Sequence, residues 1–227
     1  MSVLTDFVNI FSRREIGPYP ASTLKKGHTI FSPDVYLVEF QGEPVVWKDY
    51  SKRPWLGRLW GRFVIAREGK ALARLKNVKG VPEFRGFVER DGLLMKYCEG
   101  NLLPRRGAKK TLSPDFYSKC AALLEEIHAH GIAHGDIRRR NILADKEGNP
   151  VLIDFQTALR KEEWLGRFLF GIMCRTDKWN LVRIKAKSFA WALTEEEKEL
   201  LASPPLFLRF GRFLRRGVYR KLFPKHT

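Results

Sequence analysis

The hydrophobic periodicity of this chain changes once, near residues 97–101, and that change restricts the folds open to it. Before it, VYLVEF and PVVWKDY lie on either side of Gln41-Gly42-Glu43, and PEFRGFVER and GLLMKYCE on either side of Asp91-Gly92, so both pairs read as short antiparallel strands. Between the pairs, Leu56 to Leu75 has helical spacing and stops near Lys79-Gly80-Val81-Pro82. After the change, Ser113-Pro114 opens a long helix, DFYSKCAALLEEIHAH, with Ser113 as N-cap and Gly131 as its stop. NILAD and VLIDF then flank a turn at Glu147-Gly148-Asn149-Pro150, and the rest is helical, including LTEEEKELLA with a Thr194–Glu197 capping box. Strands followed by helices point to an α+β chain with two lobes. The expected organisation is an N-terminal amphipathic segment (1–20), a small β-rich lobe (21–97), a compact helical lobe (98–203) and a basic aromatic tail (204–227). Within the first segment, Val3, Leu4, Phe7, Val8 and Phe11 share one face of a helix over residues 2–12.

Charge narrows the partners. The 42 Lys and Arg outweigh 25 Asp and Glu, a formal +17, which calls for a polyanion: nucleic acid, an anionic membrane surface or a phosphorylated substrate. Cys98, Cys120 and Cys174 are scattered without metal-ligand spacing and read as reduced thiols of a cytosolic protein. The longest apolar run, Phe168–Cys174, is too short to span a bilayer, and the order of charge in MSVLTDFVNIFSRR is wrong for a secretory signal.

The chemistry concentrates in HGDIRRRNIL and LIDFQ. Pairing of NILAD with VLIDF brings Asn141 beside Asp154, and an amide oxygen with a carboxylate forms a partial shell for Mg²⁺, shared with phosphates. Asp136, on the preceding loop, is placed to take the proton of an acceptor hydroxyl. His128, His130 and His134 do not read as a metal site. The first two end a helix, and His134 has a better use in packing and hydrogen bonding beneath the loop.

These two motifs, at this separation, resemble the catalytic loop and metal-binding motif of the protein-kinase-like superfamily. The resemblance covers roughly residues 23–182. It implies ATP and Mg²⁺ as cofactors, with Lys48 in VVWK as the ATP lysine and Glu68 in AREGKALARL as its partner on the next helix. LLMKYCEGNLL resembles the connector between lobes, where the backbone at Tyr97 and Cys98 would hold adenine and Met95 would line the back of the pocket. Asn141 and Asp154 would hold the metal, Asp136 would be the base, and Arg138 would stabilise the transferring phosphate. Asp177 resembles the aspartate that braces the catalytic loop. Arg139 and Arg140 would meet an acidic acceptor.

Departures from the superfamily pattern matter too. Gly135 replaces an arginine that reads activating phosphorylation, and Gln156 replaces the glycine after Asp154-Phe155. Only Gly27 stands where a glycine-rich phosphate loop is expected, so Lys25 or Lys26 would have to help. The HGD form is similar to the RIO/Bud32-type atypical kinases and to bacterial lipopolysaccharide kinases, and in texture the chain is nearest the latter. The expected function is therefore ATP-dependent phosphorylation of a hydroxyl on an anionic membrane glycolipid such as lipopolysaccharide inner core. The alternatives are a small RIO/Bud32-like serine/threonine kinase and a non-catalytic nucleotide-binding scaffold. The expected location is the cytoplasmic face of the inner membrane, with RNA or a ribosomal particle as the rival partner. Two basic aromatic stretches bear on this choice. In 205–225 aromatics alternate with Arg and Lys as in an interfacial anchor. For Arg53–Phe63 an anchor and ordinary core packing stand level.

Overall fold

A computed structural model describes residues 9–16, 22–103 and 112–205. The first part is a six-stranded sheet in the order β1-β5-β6-β4-β3-β2. Its longest strands form the hairpin of β3 (Asp34–Phe40) and β4 (Glu43–Asp49). Gln41 (φ 54°) and Gly42 (φ 78°) are both left-handed, the conformation that a two-residue hairpin turn with the right twist requires. β2 (Ser22–Lys25) extends one side. β5 (Phe84–Val88) and β6 (Gly92–Lys96) extend the other.

β1 (Ile10–Phe11) pairs parallel to β5, which corrects the expected helix where it is described. The edge of the sheet decides the matter. The Phe87 and Glu89 N–H groups donate to the Asn9 and Phe11 carbonyls, and the Phe11 ring packs edge-on against Phe40. Residues 2–8 of that expected helix lie outside the described residues. Arg13, on the short α1 (Arg13–Ile16), reaches Asp49 and Glu89 and lies over the Trp47 ring, fastening the segment to the sheet.

α2 (Trp55–Arg74) packs in two ways. Its C-terminal half buries Val64, Ile65, Glu68, Ala71 and Leu72. Its N-terminal half buries glycines instead, because a Cβ at Gly57 would stand 2.1 Å from the Ile30 carbonyl oxygen and one at Gly61 2.3 Å from the Tyr50 ring. Backbone therefore meets the lobe directly, and the aromatics of Arg53–Phe63 face outward: Trp55 is 72% exposed, Trp60 48% and Phe63 56%. These rings are not core. Asp91 steadies the same half by accepting from Arg58 at 2.7 Å and Arg62 at 2.8 Å.

The second part is mainly helical. α3 (Pro114–Ala129) begins at Ser113, whose side chain makes no cap hydrogen bond, so the start rests on proline at the first helical position. It ends at Gly131, left-handed at φ 75° as expected of a helix stop. β9 (Ile142–Ala144) pairs antiparallel with β10 (Pro150–Leu152), with β7 (Asn101–Leu102) on its outer side. β8 (Ile132–Ala133) pairs with β11 (Leu159–Arg160). α4 (Trp164–Phe189) packs on α3, and α5 (Glu195–Ala202) carries the expected capping box, Glu197 N–H to Thr194 Oγ1 and Thr194 N–H to Glu197 Oε2. One core cluster runs through both parts, from Tyr50, Leu72 and Leu93 to Ile127, Ile142 and Phe155. No helix among the described residues is long and apolar enough to cross a membrane.

Candidate active site

Between the sheet and the helical part lies a cleft of about 560 Å³, within the range of small-molecule sites. Strand register aims Lys48 into it. β4 alternates, so Val45 and Trp47 face one layer while Val46 and Lys48 face the cleft. The Lys48 ammonium lies 2.8 and 2.9 Å from the two Glu68 carboxylate oxygens and 3.0 Å from Asp154 Oδ1. Burial works against the charge on Lys48, but the two carboxylates prevail and hold its pKa above the ordinary lysine value. Burial raises the Glu68 carboxyl pKa, against the pull of Lys48. For Asp154 the attraction of Lys48 overcomes burial, and its pKa is lowered, with a smaller contribution from Lys25. Glu68 also accepts from the Phe155 N–H at 3.1 Å, so one carboxylate ties α2 to both Lys48 and the Asp154-Phe155 turn.

Asp154 stands at φ 71° and ψ 70°, a left-handed conformation that costs energy for a residue with a Cβ and is typical of functional turns. The β9–β10 hairpin places it beside Asn141, whose carbonyl accepts from the Ile153 N–H at 3.0 Å. Asn141 spends its amide nitrogen on Asp136, 2.9 Å from the carbonyl and 3.2 Å from the carboxylate. Its amide oxygen is thus the atom left for a cation, and Asn141 and Asp154 both line the cleft.

The loop carrying Asp136 is held from beneath. The buried Asp177 carboxylate on α4 accepts from the His134 and Gly135 N–H groups at 2.8 and 2.9 Å, as expected. Gly135 is left-handed at φ 79°, and a Cβ there would stand 2.6 Å from the Thr157 carbonyl oxygen. Glycine is therefore demanded by space as well as conformation. His134 is fully buried, its Nε2 3.1 Å from the Ile153 carbonyl and its Nδ1 3.3 Å from the Asp136 N–H. One nitrogen donates and the other accepts, which is the neutral tautomer.

Burial lowers the pKa of His134, against Asp177 and other nearby carboxylates. Its contribution to stability is therefore complete above the unfolded value of 6.5 and is lost as pH falls from there towards the lowered folded value. We expect the urea midpoint to drop between pH 7 and pH 5, roughly the window of histidine titration, and to drop less in His134→Gln. Parallel pH profiles of the two proteins would contradict this.

The other sequence candidates divide. Met95, Tyr97 and Cys98 line the cleft as expected of a connector, and burial pushes the Cys98 thiol up to about 11. Arg138 does not line it; its Nε pairs with the Asp136 carboxylate. Arg140 does line it, and reaches Asp136 at 3.9 Å. Several wall residues had no sequence signal. Phe31, Ser32 and Pro33 form the turn before β3, and Arg53 fastens that turn by donating to the Ser32 carbonyl at 2.7 Å and pairing with Asp34. Gly27 N–H also donates to Asp34, at 2.9 Å. The turn is thus pinned where a glycine-rich loop would be free. Lys25 and Gln156 line the cleft as well.

A family model for the RIO domain matches residues 48–175, more than half of the chain. The chain belongs to the RIO domain family. The matched segment runs from Lys48 to the middle of α4 and contains Glu68, Asp136, Asn141 and Asp154, while Asp177, Lys25 and the turn before β3 lie outside it. The RIO domain here is similar in structure to the Rio2 kinase of Chaetomium thermophilum, solved as an ADP/Mg²⁺-phosphoaspartate complex. That likeness has a TM-score of 0.58 and 18% identity, and covers 82% of this chain and 62% of the other, so it shows the fold. Sequence relatives include CBL-interacting protein kinase 16 of Oryza sativa subsp. japonica, 28% identical over 109 residues. Another is serine/threonine-protein kinase KIC1 of Saccharomyces cerevisiae, 29% identical over 117 residues. The matches take in 46% and 45% of this RIO chain, but the chain spans only 24% of the rice protein and 11% of the yeast one. None of these relatives is a lipopolysaccharide kinase.

Proposed function

We propose that this RIO protein is an ATP- and Mg²⁺-dependent phosphotransferase of the atypical protein-kinase type, acting on a serine or threonine hydroxyl. One observation carries the reading: Lys48 bridges Glu68 and Asp154 in a cleft that also receives Asn141, with Asp136 hydrogen-bonded to that asparagine. A lysine held charged between two carboxylates in a nucleotide-sized cleft is the arrangement that positions ATP phosphates for transfer. The likeness to the serine/threonine-protein kinase KIC1 supports this acceptor class over the glycolipid expected from texture.

The donor set suits Mg²⁺. Asn141 and Asp154 offer hard oxygens, and among the described residues no cluster of three or more His, Cys, Asp or Glu is placed to hold a metal unaided. Mg²⁺ accepts such a site because it keeps water and shares phosphate oxygens, and once bound it offsets charge on the transferring phosphoryl group. The chain supplies the rest. Lys48, kept charged, holds the nucleotide phosphates, and Glu68 fixes its position. The connector at Tyr97 and Cys98 receives the base. Asp136 orients the acceptor hydroxyl and takes its proton, while Arg138 and Arg140 beside it lend positive charge to the transferring phosphoryl group.

The test is acceptor labelling. The protein is incubated with γ-labelled ATP and Mg²⁺ in the presence of soluble protein extract and, separately, lipopolysaccharide. Label is expected in protein. Label in glycolipid alone would replace this acceptor with the one expected from texture, and label in neither, with no ATP consumed, would leave a binding protein.

A further inference from the structure

We infer that the outward face of α2, together with the N-terminal turns of α4, is a docking surface for an anionic bilayer. On α2 the exposed residues Trp55, Leu59 and Phe63 follow at four-residue intervals, with Trp60 beside them. The glycine packing of this half-helix is what turns them outward. On α4, Trp164 is 75% exposed and Phe168, one turn on, 70%. Two such strips of large apolar side chains are costly to leave in water and mark an interaction surface.

Arg67 ties the α2 strip to the segment that leads into α4. Its guanidinium lies over the Phe63 ring and donates to the Thr157 and Ala158 carbonyls at 2.8 Å. It also feels the charge of Glu163, the residue before Trp164. The same Thr157 carbonyl faces Gly135, next to Asp136, so the surface borders the proposed acceptor side of the site. At its other end Trp60 contacts Phe31, which lines the cleft.

Charge selects the occupant. The acids at the seam are already engaged: Glu162 with Arg74, and Glu163 with Arg160. Lys70, Lys161 and Arg167 are exposed and make no ion pair among the described residues, so the unmatched charge of the face is basic. A second copy of this chain would bring the same positive charge against it. Tryptophan, leucine and phenylalanine bordered by lysine and arginine are the composition that enters the headgroup boundary of an anionic membrane. A chain at +17 adds attraction over a longer range.

The inference does not depend on phosphoryl transfer and is tested without ATP. The full-length protein is centrifuged with vesicles of phosphatidylcholine alone or of equimolar phosphatidylcholine and phosphatidylglycerol, and tryptophan emission is followed with brominated acyl chains as quencher. Binding to the mixed vesicles, with quenching, is expected. Trp60→Glu with Phe168→Glu should weaken it roughly tenfold or more. The milder Trp164→Ser with Phe168→Ser should weaken it less, and melting curves verify that both remain folded. Equal binding by wild type and both variants would place the contact elsewhere on the chain and overturn the inference. Failure of the wild type to bind either vesicle, or a mobility shift with RNA in its place, would overturn it too. Asp136→Asn should bind vesicles as wild type does, so loss of catalysis and loss of docking are separable.

Discussion

Asp136→Asn is expected to reduce phosphoryl transfer by about three orders of magnitude or more while nucleotide binding changes little. The substitution is nearly isosteric, and the loop does not depend on this side chain for its shape. Asp177 holds the backbone at His134 and Gly135, and Asn141 anchors on the Asp136 carbonyl as well as on its carboxylate. What disappears is the acceptor of the hydroxyl proton and the anion that Arg138 and Arg140 face. Single-turnover transfer and binding of a fluorescent ATP analogue, measured on the same preparation, provide the check. Unchanged transfer would remove Asp136 from the role of base. Loss of nucleotide binding would show that the carboxylate acts on the fold of the cleft instead.

Lys48→Met carries the second large effect, on stability as well as activity. Glu68 is completely buried, with its oxygens on the Lys48 ammonium and the Phe155 N–H. Removing the cation strands a carboxylate in the interior, and breaking a buried pair from one side costs about 3–5 kcal/mol. The variant should unfold at markedly lower urea and transfer no phosphate. Adding Glu68→Leu removes the stranded charge, so the double variant should recover much of the stability and none of the activity. A double variant no more stable than the single one would mean that the pair is not the source of the loss. The comparison separates what the pair does for the fold from what Lys48 does for the nucleotide.

The site was largely legible because its parts are local. HGDIRRRNIL and LIDFQ lie on a hairpin whose turn, Glu147 to Pro150, can be read from residue types, and a hairpin fixes Asn141 against Asp154 without help from distant chain. Lys48 in VVWK and Glu68 on the next helix came from the resemblance to the kinase-like pattern, not from periodicity. Arg53 with Asp34 was not legible, since an ion pair between residues 19 apart leaves no periodic trace. The exchange of Arg138 for Arg140 on the cleft wall was hidden for a different reason. Three adjacent arginines look alike in sequence, and the one-turn 3₁₀ helix at Arg139–Asn141 decides which of them faces inward.

The same contrast separates the two ends of α2. Residue order alone established the strand-then-helix organisation, the helix at Leu56–Leu75, the capping box at Thr194 and the carboxylate–amide pair, because each depends on contacts within a turn or a hairpin. Tertiary structure decided that Ile10–Phe11 adds an edge strand, since only the unpaired groups of β5 reward that conformation. It also decided the environment of the aromatics between Trp55 and Phe63. A helix with apolar residues and glycines on several faces can bury either set. Tyr50 and the Ile30 carbonyl, brought up by the sheet, approach so closely that only glycine fits, and the rings are left facing solvent.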